Sequence, residues 1–394
     1  MKNIGVIVDN EFNSDIRVRK EIEILKNKGH KIHVLCFAFD DKQYPNEDDI
    51  NVVRISIKRS IKNLLFFLLN RFPFYDLLWK KHIKKFILNN QIEVLHVHDL
   101  YMSKSAYQAV NSVKRDIPII LDLHENFPYA VQLYNWTKGF LRNTISKPKA
   151  WLKKERKYLS YSDKLILLSE SFKQDLMNRY DFLKNENLIV FPNVIDLRKF
   201  EQFEIDPAIQ KNDKITLMYF GGIAERRGIF ETIQVFKEAL KQNQNLELLL
   251  IGPVDKADKK RFTDEINASS VKDSITYIPW IPLSDLVSYM HISDIFLSPL
   301  QKNEQHESGV ANKLYQYMFG AKPILVSNCK PQKELIENCN SGLSYSNNKE
   351  YLNCILTLAN DEKLRLEMGA NGRKQLYERY DNSTYENILL NLYK

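Results

Sequence analysis

The chain has 394 residues, with 57 Lys+Arg against 49 Asp+Glu, a formal net charge of +8, 44% hydrophobic residues and 11% aromatic. This is an ordinary globular composition, which excludes a disordered, collagen-like or disulfide-stapled chain, and at this length two domains are expected rather than one core. The four cysteines, Cys36, Cys329, Cys339 and Cys354, form no CxxC pair, which argues against a zinc ribbon and suits a reducing cytosol.

From the N-terminus, residues 3–8 (NIGVIV) read as a buried strand. Residues 18–28 then form an amphipathic helix with Val18, Ile22 and Leu25 on one face, stopped by Gly29. Further strands are expected at 32–37, 94–97, 117–121, 164–168 and 188–191. After a linker at 192–207 (opening PNVID) the pattern restarts, with strands at 215–220, 246–251, 274–278, 295–297, 323–326 and 342–345. Strands apolar on both faces and separated by helices imply parallel sheets covered on both sides. The fold class is therefore α/β, with two tandem Rossmann-like domains facing across a deep cleft. Residues 361–394 are helical in composition, with no strand. The opening segment turns acidic before an apolar region of signal-peptide length, and the longest aliphatic–aromatic run, residues 64–69, is far short of the roughly 20 residues a bilayer span takes. The expectation is a cytoplasmic protein, or one peripheral on the inner face of the cytoplasmic membrane.

Charge is uneven along the chain. Residues 1–190 carry 32 Lys+Arg and 22 Asp+Glu, net +10, and residues 191–394 are net −2. Residues 54–87 hold nine basic residues and one acid, Asp76, among Leu64, Phe66, Phe67, Phe72, Phe74 and Trp79. Such a window is a helix packed by its aromatic face, a nucleic-acid surface, or an anionic-membrane surface through residues 58–85. The contiguous run LLFFLL between basic flanks suits a membrane better than single strands, so no nucleic acid is expected.

Four segments could carry chemistry. Residues 219–228 (YFGGIAERRG) follow a strong strand and precede an amphipathic helix. Gly221 and Gly222 let backbone approach an anion, and Arg226 and Arg227 add fixed charge suited to a diphosphate; the alternative is an ordinary turn with solvated arginines. Residues 306–323 (HESGVANKLYQYMFGAKP) place Ser308, Gly309 and Val310 at a loop and helix start, with Asn312 and Gln316 on one helical face beside Lys313. His98-Asp99 and Asp122-Leu-His124-Glu125-Asn126 lie just past strand ends, while His96 alternates into the sheet. No tight ligand spacing and no DxD pair is present, so the sequence requires no metal and no cofactor.

In this order, these motifs resemble the group-1 (family 4) glycosyltransferases of GT-B fold, across nearly the whole chain. Residues 9–30 look like the family's first loop and helix, 121–128 (LDLHENFP) its N-domain histidine segment, and 191–200 its interdomain stretch. Residues 219–228 resemble the donor-phosphate loop, 280–300 the run before the donor site, and 312–327 the donor-sugar helix. The resemblance implies transfer of a sugar from a nucleotide-sugar donor, of UDP or GDP type, with retention and without a metal. The acceptor would be a glycan or lipid-linked saccharide of surface polysaccharide biosynthesis. It implies an acceptor domain of residues 1–196 plus 376–394, with the C-terminal helix crossing back, and a donor domain of 197–375. Arg227 stands where the family's phosphate lysine does, with Lys313 its companion, and His124 matches the acceptor-side histidine. These three are the expected catalytic residues. Gly221, Gly222, Arg226, Ser308, Gly309, Val310, Asn312 and Gln316 are expected on the donor. Asp15, Arg17, His98, Asp99 and Glu125 are expected on the acceptor. Ser308 and Gln316 replace the family's paired glutamates, and Gly222 stands where an arginine often follows the first glycine. A nucleotide-sugar epimerase or phosphorylase of the same architecture, or a non-enzymatic polyanion or membrane binder, are the competing readings.

Overall fold

A computed structural model of the chain describes residues 1–39, 44 and 49–393. The chain divides into two compact units, Met1–Pro192 with Glu386–Lys394, and Asn193–Tyr385. The sequence alone placed those divisions at 196/197 and 375/376.

The first unit is built on β1 (Asn3–Ile7), β2 (Lys31–Phe39), β3 (Asn51–Ile57), β4 (Val94–His98), β5 (Ile119–Asp122), β6 (Lys164–Leu167) and β7 (Leu188–Val190). Their order in the sheet is β3-β2-β1-β4-β5-β6-β7, and every pairing is parallel. The chain steps outward from β1 on one side and returns to β4 on the other. A crevice therefore opens beyond the carboxyl ends of β1 and β4, where ligands of such sheets bind. The β4–β5 register sets His98 beside Asp122 at that edge.

Strand β3 was missed by sequence reading. It pairs only with β2 and buries only Ile55, so its alternation NVVRISI runs into the basic window and carries no continuous apolar signal. The first helix, Ile16–Asn27, is capped by Asp15, whose carboxylate accepts the Val18 amide at 3.1 Å, and it buries Val18, Ile22 and Leu25. The basic–aromatic window splits in two. The helix Phe74–Asn90 buries Tyr75, Trp79, Ile83, Phe86 and Ile87 in the first core, whereas the helix Arg59–Phe67 buries no residue fully.

The second unit carries β8 (Ile215–Phe220), β9 (Leu246–Ile251), β10 (Ile275–Ile278), β11 (Ile295–Ser298), β12 (Ile324–Ser327) and β13 (Gly342–Tyr345). Their order is β10-β9-β8-β11-β12-β13, again all parallel, so the switch point lies between β8 and β11. Of residues 192–207, expected as a linker, the first part is packed, while 201–207 are largely exposed and without regular structure. Val194, Ile195, Leu197 and Phe200 join Met218, Leu249 and Phe296 in a buried cluster. The turn residues of PNVID masked this apolar spacing. The C-terminal stretch is helical, Glu362–Arg379 then Asn382–Asn391. Its last residues belong to the first unit, where Tyr393 is buried and the Lys164 ammonium donates to the Leu392 carbonyl at 3.1 Å. Among the described residues, no helix is long and apolar enough to cross a membrane.

Candidate functional site

In the first unit, the edge formed by β1, β4 and β5 holds a buried polar network. Arg17 enters from the first turn of its helix and grips Asp122 with two parallel bonds, Nε to Oδ2 at 2.8 Å and Nη2 to Oδ1 at 2.8 Å. Its Nη1 donates to the Phe191 carbonyl at 3.0 Å, and its Nε lies 3.0 Å from Glu21 Oε1. Such a fork is the strong, oriented form of a charge-assisted bond. Arg17 was expected on the acceptor; only 9% of its side chain is exposed, and these contacts make it a positioning group for Asp122.

Asp122 in turn faces two histidines. His124 Nε2 is 3.2 Å and His98 Nδ1 3.4 Å from Asp122 Oδ2, and the two rings meet at 2.8 Å, Nε2 to Nδ1. Burial opposes ionisation of Asp122, but Arg17 and then His124 outweigh it and hold the carboxyl well below the usual range. Burial also pulls the His124 imidazolium down, yet Asp122 overrides that and pushes it up to about 9. His98 is lowered by burial, with the His124 charge adding to the effect. At neutral pH the proton therefore sits on His124, which donates, and His98 accepts through Nδ1. His96 stacks on His98 with ring centroids 4.5 Å apart, and its Nδ1 is hydrogen-bonded with the Tyr393 hydroxyl at 2.5 Å.

Glu21, His96, His98 and Asp122 offer ligand atoms within 4.8 Å of one another, a grouping that could suit a metal. Arg17 already bridges both carboxylates, so the charge a metal would supply is present as a guanidinium, and the group does not fit an ion.

Beside this network lies a pocket of about 220 Å³ whose lining includes Asp9, Asp15, Lys62, His98, Asp99 and His124. Asp99 sits at φ 72°, a left-handed conformation costly for a residue with a Cβ. It is held by its amide donating to the Asp122 carbonyl at 2.9 Å and by the Tyr101 hydroxyl on its carboxylate at 3.1 Å. Asp9, just past β1, accepts from the Tyr75 hydroxyl and pairs with Lys62 at 3.2 Å; burial pushes its carboxyl up to about 6 despite Lys62. Glu125, also expected on the acceptor, does not line this pocket and accepts from the Tyr134 hydroxyl at 2.5 Å. Sequence reading missed Asp9, Lys62 and Tyr101; the acidic residue directly after β1 was the available signal.

In the second unit, the turn after β8 is shaped by glycines at positive φ. Gly228 has φ 73°, and a Cβ there would fall 1.7 Å from the Pro299 carbonyl oxygen, so the donor-type loop and the end of β11 approach as only glycine permits. Gly222 is open, and its carbonyl accepts from the Tyr219 hydroxyl at 2.8 Å. Lys313 is buried with Nζ 3.7 Å from the Tyr219 ring centroid. Burial, and then the Arg227 charge, lower its pKa well below the usual ammonium range. Burial also lowers Arg227. Among the described residues, the Arg226 guanidinium makes a long contact to Asp255, 3.4 Å. His306, not assigned from sequence, is tied through Nδ1 to the Gln301 carbonyl at 2.6 Å. Burial drops it to about 4, and the charges of Arg227, Arg226 and Lys313 reinforce this. Two arginines, a buried lysine whose ammonium form is disfavoured and a neutral imidazole thus converge at the carboxyl edge of β8 and β11, a setting that a bound anion would relieve.

The other donor-side residues fall on the loop and helix that follow. The helix Asn312–Phe319 starts at Asn312 with Ala311 as its N-cap, so Ser308, Gly309 and Val310 lie in the loop before it rather than at the helix start. Ser308 is buried and its hydroxyl donates to the Gln305 carbonyl at 2.7 Å, turning inward. Asn312 is exposed and Gln316, one turn on, half-buried.

Comparison with known proteins agrees with this architecture. A model described as glycosyl transferases group 1 matches residues 201–375, and one described as glycosyltransferase family 4 matches residues 17–199. A capsular polysaccharide biosynthesis glycosyltransferase, CapM of Staphylococcus aureus, is 24% identical over 244 residues, 58% of this chain and 60% of that protein. The match thus spans less than two thirds of the relative's length. Sucrose-phosphate synthase from Thermosynechococcus elongatus superposes with a TM-score of 0.75 at 15% identity, covering 100% of this chain and 97% of that one. HepE of Anabaena, solved in complex with UDP, does so with a TM-score of 0.71 at 13% identity, covering 100% and 99%. These structural likenesses share the fold; the two family matches, which together take in nearly all of residues 17–375, go further, and the chain belongs to the group-1, family-4 glycosyltransferases, with their GT-B fold of two parallel Rossmann-like sheets.

Proposed function

We propose that the protein transfers a sugar, with retention and without a metal, from a nucleotide-sugar held by the second unit to a glycan or lipid-linked saccharide held by the first, in surface polysaccharide biosynthesis. The observation that carries this is the convergence of Arg226, Arg227 and Lys313 on the glycine turn after β8, with His306 kept neutral among them. Cleaving a glycosyl–phosphate bond builds negative charge on the leaving diphosphate. Fixed cations in a desolvated setting stabilise that charge more in the transition state than in the ground state. Gln316 would accept or donate to a ribose hydroxyl as a neutral group.

On the acceptor side, the pocket of carboxylates and imidazoles suits a polyhydroxylated ligand. His124, protonated at neutral pH, acts there as a hydrogen-bond donor and positive charge, not as a base. The CapM likeness supports the polysaccharide setting, and the HepE complex makes UDP the first nucleotide to try. Peripheral contact with an anionic membrane through residues 58–85 belongs to the same reading. Lys81, Lys84 and Lys85 are exposed on the helix Phe74–Asn90, and Phe72, Phe74 and Leu77 are exposed beside them. Titration calorimetry with UDP, GDP and their sugars tests the donor assignment: saturable binding of one nucleoside diphosphate in chelator is expected, and no binding of either would refute it.

A further inference from the structure

The helix Arg59–Phe67 faces two cavities. Its first half, with Arg59 and Lys62, lines the acceptor pocket, and its second half, with Leu64, Phe66 and Phe67, lines a larger apolar groove of about 480 Å³ completed by Trp136 and Arg142. Asn63 lines both, so polar pocket and groove adjoin along one helix. At 1.5 Å per residue, the nine residues of that helix cover roughly 13 Å, from the charged end to the aromatic end.

The groove is built rather than incidental. The Phe66 and Trp136 rings meet edge to face at 5.6 Å, and Phe67 and Trp136 at 6.2 Å. The Arg71 guanidinium, donating to the Thr144 carbonyl at 2.8 Å, and the Asn70 amide, donating to the Ser146 carbonyl at 2.7 Å, tie the end of the Arg59–Phe67 segment to the helix Phe140–Ser146. Leu64 is 56% exposed, and Phe140 and Leu141 are 86% and 73% exposed. Large apolar side chains exposed at and near a groove in this way mark a surface that a partner covers. Arg142, exposed at the groove and without an ion pair among the described residues, adds a cation where polar and apolar regions meet.

We infer that this groove binds the hydrocarbon chain of a lipid-phosphate-linked acceptor, the phosphate lying near Asn63 and Arg142 and the saccharide in the adjoining pocket. The inference rests on the acceptor-side reading above and narrows its substrate class from glycans in general to long-chain lipid phosphates. Two properties select this occupant. A polar pocket and an apolar groove that meet at Asn63 suit one molecule with a polar and an apolar end, and Arg142 at the groove calls for an anion there. A protein partner would meet the exposed face without needing a groove that adjoins the pocket.

Trp136 supplies the readout. Trp79 and Trp151 are buried, and Trp280, 71% exposed in the second unit, is silenced by Trp280→Phe. In that background, geranylgeranyl monophosphate should change Trp136 emission in a saturable one-to-one titration. It should bind at least tenfold more tightly than geranylgeraniol or inorganic phosphate. Leu64→Asp, at an exposed position that tolerates charge, should weaken it at least tenfold while leaving nucleoside diphosphate binding, the folding control, unchanged. Equal affinity for inorganic phosphate and the lipid phosphate would overturn the inference. So would wild-type affinity in Leu64→Asp, or binding seen only on anionic vesicles with no one-to-one site. Equal transfer by wild type and Leu64→Asp to a long-chain and a water-soluble short-chain acceptor would remove the groove and leave the transferase reading standing. Persistent chain binding with no transfer to any acceptor would keep the groove and remove that reading instead.

Discussion

Replacing Asp122 by Asn tests the first-unit network at its centre. The carboxylate accepts both bonds of the Arg17 fork, at 2.8 Å each, and faces His124 at 3.2 Å. The substitution keeps the shape and removes the charge, leaving the buried guanidinium without the anionic half of its fork, with Glu21 and the Phe191 carbonyl still beside it. Breaking a buried pair in this way costs about 3–5 kcal/mol. In a unit of this size each kcal/mol moves the midpoint by about 2–4 °C, so Tm should fall by roughly 6–20 °C. The more specific consequence is on His124. Its pKa of about 9 exists because Asp122 overrides burial. Without Asp122, burial and the Arg17 charge both act against the imidazolium, and the pKa should drop below the ordinary histidine value of 6.5. Ring-carbon NMR titration of the eight histidines, with His124 identified by its loss in His124→Gln, reads this directly. A His124 resonance still titrating near 9 in Asp122→Asn would refute the reasoning, whatever happens to Tm.

Four further outcomes are expected. Arg227→Ala should lose about 2–4 kcal/mol of transition-state stabilisation, chiefly in kcat, and turnover within twofold of wild type would remove Arg227 from the diphosphate site. Gln316→Glu should bind nucleoside diphosphate within about threefold of wild type, since a ribose hydroxyl donates to carboxylate and amide oxygen alike; a larger loss would show that Gln316 donates its own N–H groups. His124 has a folded pKa raised above the ordinary histidine value of 6.5. Its stabilising contribution is therefore complete below pH 6.5 and disappears as pH rises through about 9, and kcat/KM should fall over the same limb. Reversing Lys80, Lys81, Lys84 and Lys85 to Glu should cut partitioning onto anionic vesicles by roughly two orders of magnitude or more, given about 1 kcal/mol per basic residue, with nucleotide binding unaffected; equal co-sedimentation of wild type with neutral and anionic vesicles would count against the membrane contact.

Much of this architecture is legible in the sequence because parallel strands buried on both faces leave continuous apolar runs, as NIGVIV and LELLLI do. The edge strand β3 was not legible, since a strand paired on one side and wet on one face leaves only a weak alternation. Site residues divide similarly. Gly221, Gly222, Arg226 and Arg227 announce themselves because a strand, a glycine turn and a helix start are local in sequence. The role of Arg17 is not local: its partners Asp122 and Phe191 lie 105 and 174 residues away, and sequence alone offers a free cation where the fold makes an internal clamp. His306, the first residue of the 306–323 segment, received no role from sequence. Only the fold reveals that its neighbours are Arg226, Arg227 and Lys313. The Tyr393 hydroxyl on His96, 297 residues apart, was invisible for the same reason.

The central claim is that this chain moves a sugar from a nucleotide to an acceptor using its own cations. The most direct measurement is nucleoside diphosphate release from a panel of UDP- and GDP-sugars, with and without lipid-diphosphate-linked saccharides, in excess chelator, with the anomeric configuration of the product read by NMR. The account predicts release that requires acceptor, persists in chelator and yields a product of the donor's own anomeric configuration. Sugar isomerisation without acceptor, or release abolished by chelator and restored by a divalent metal, would contradict it.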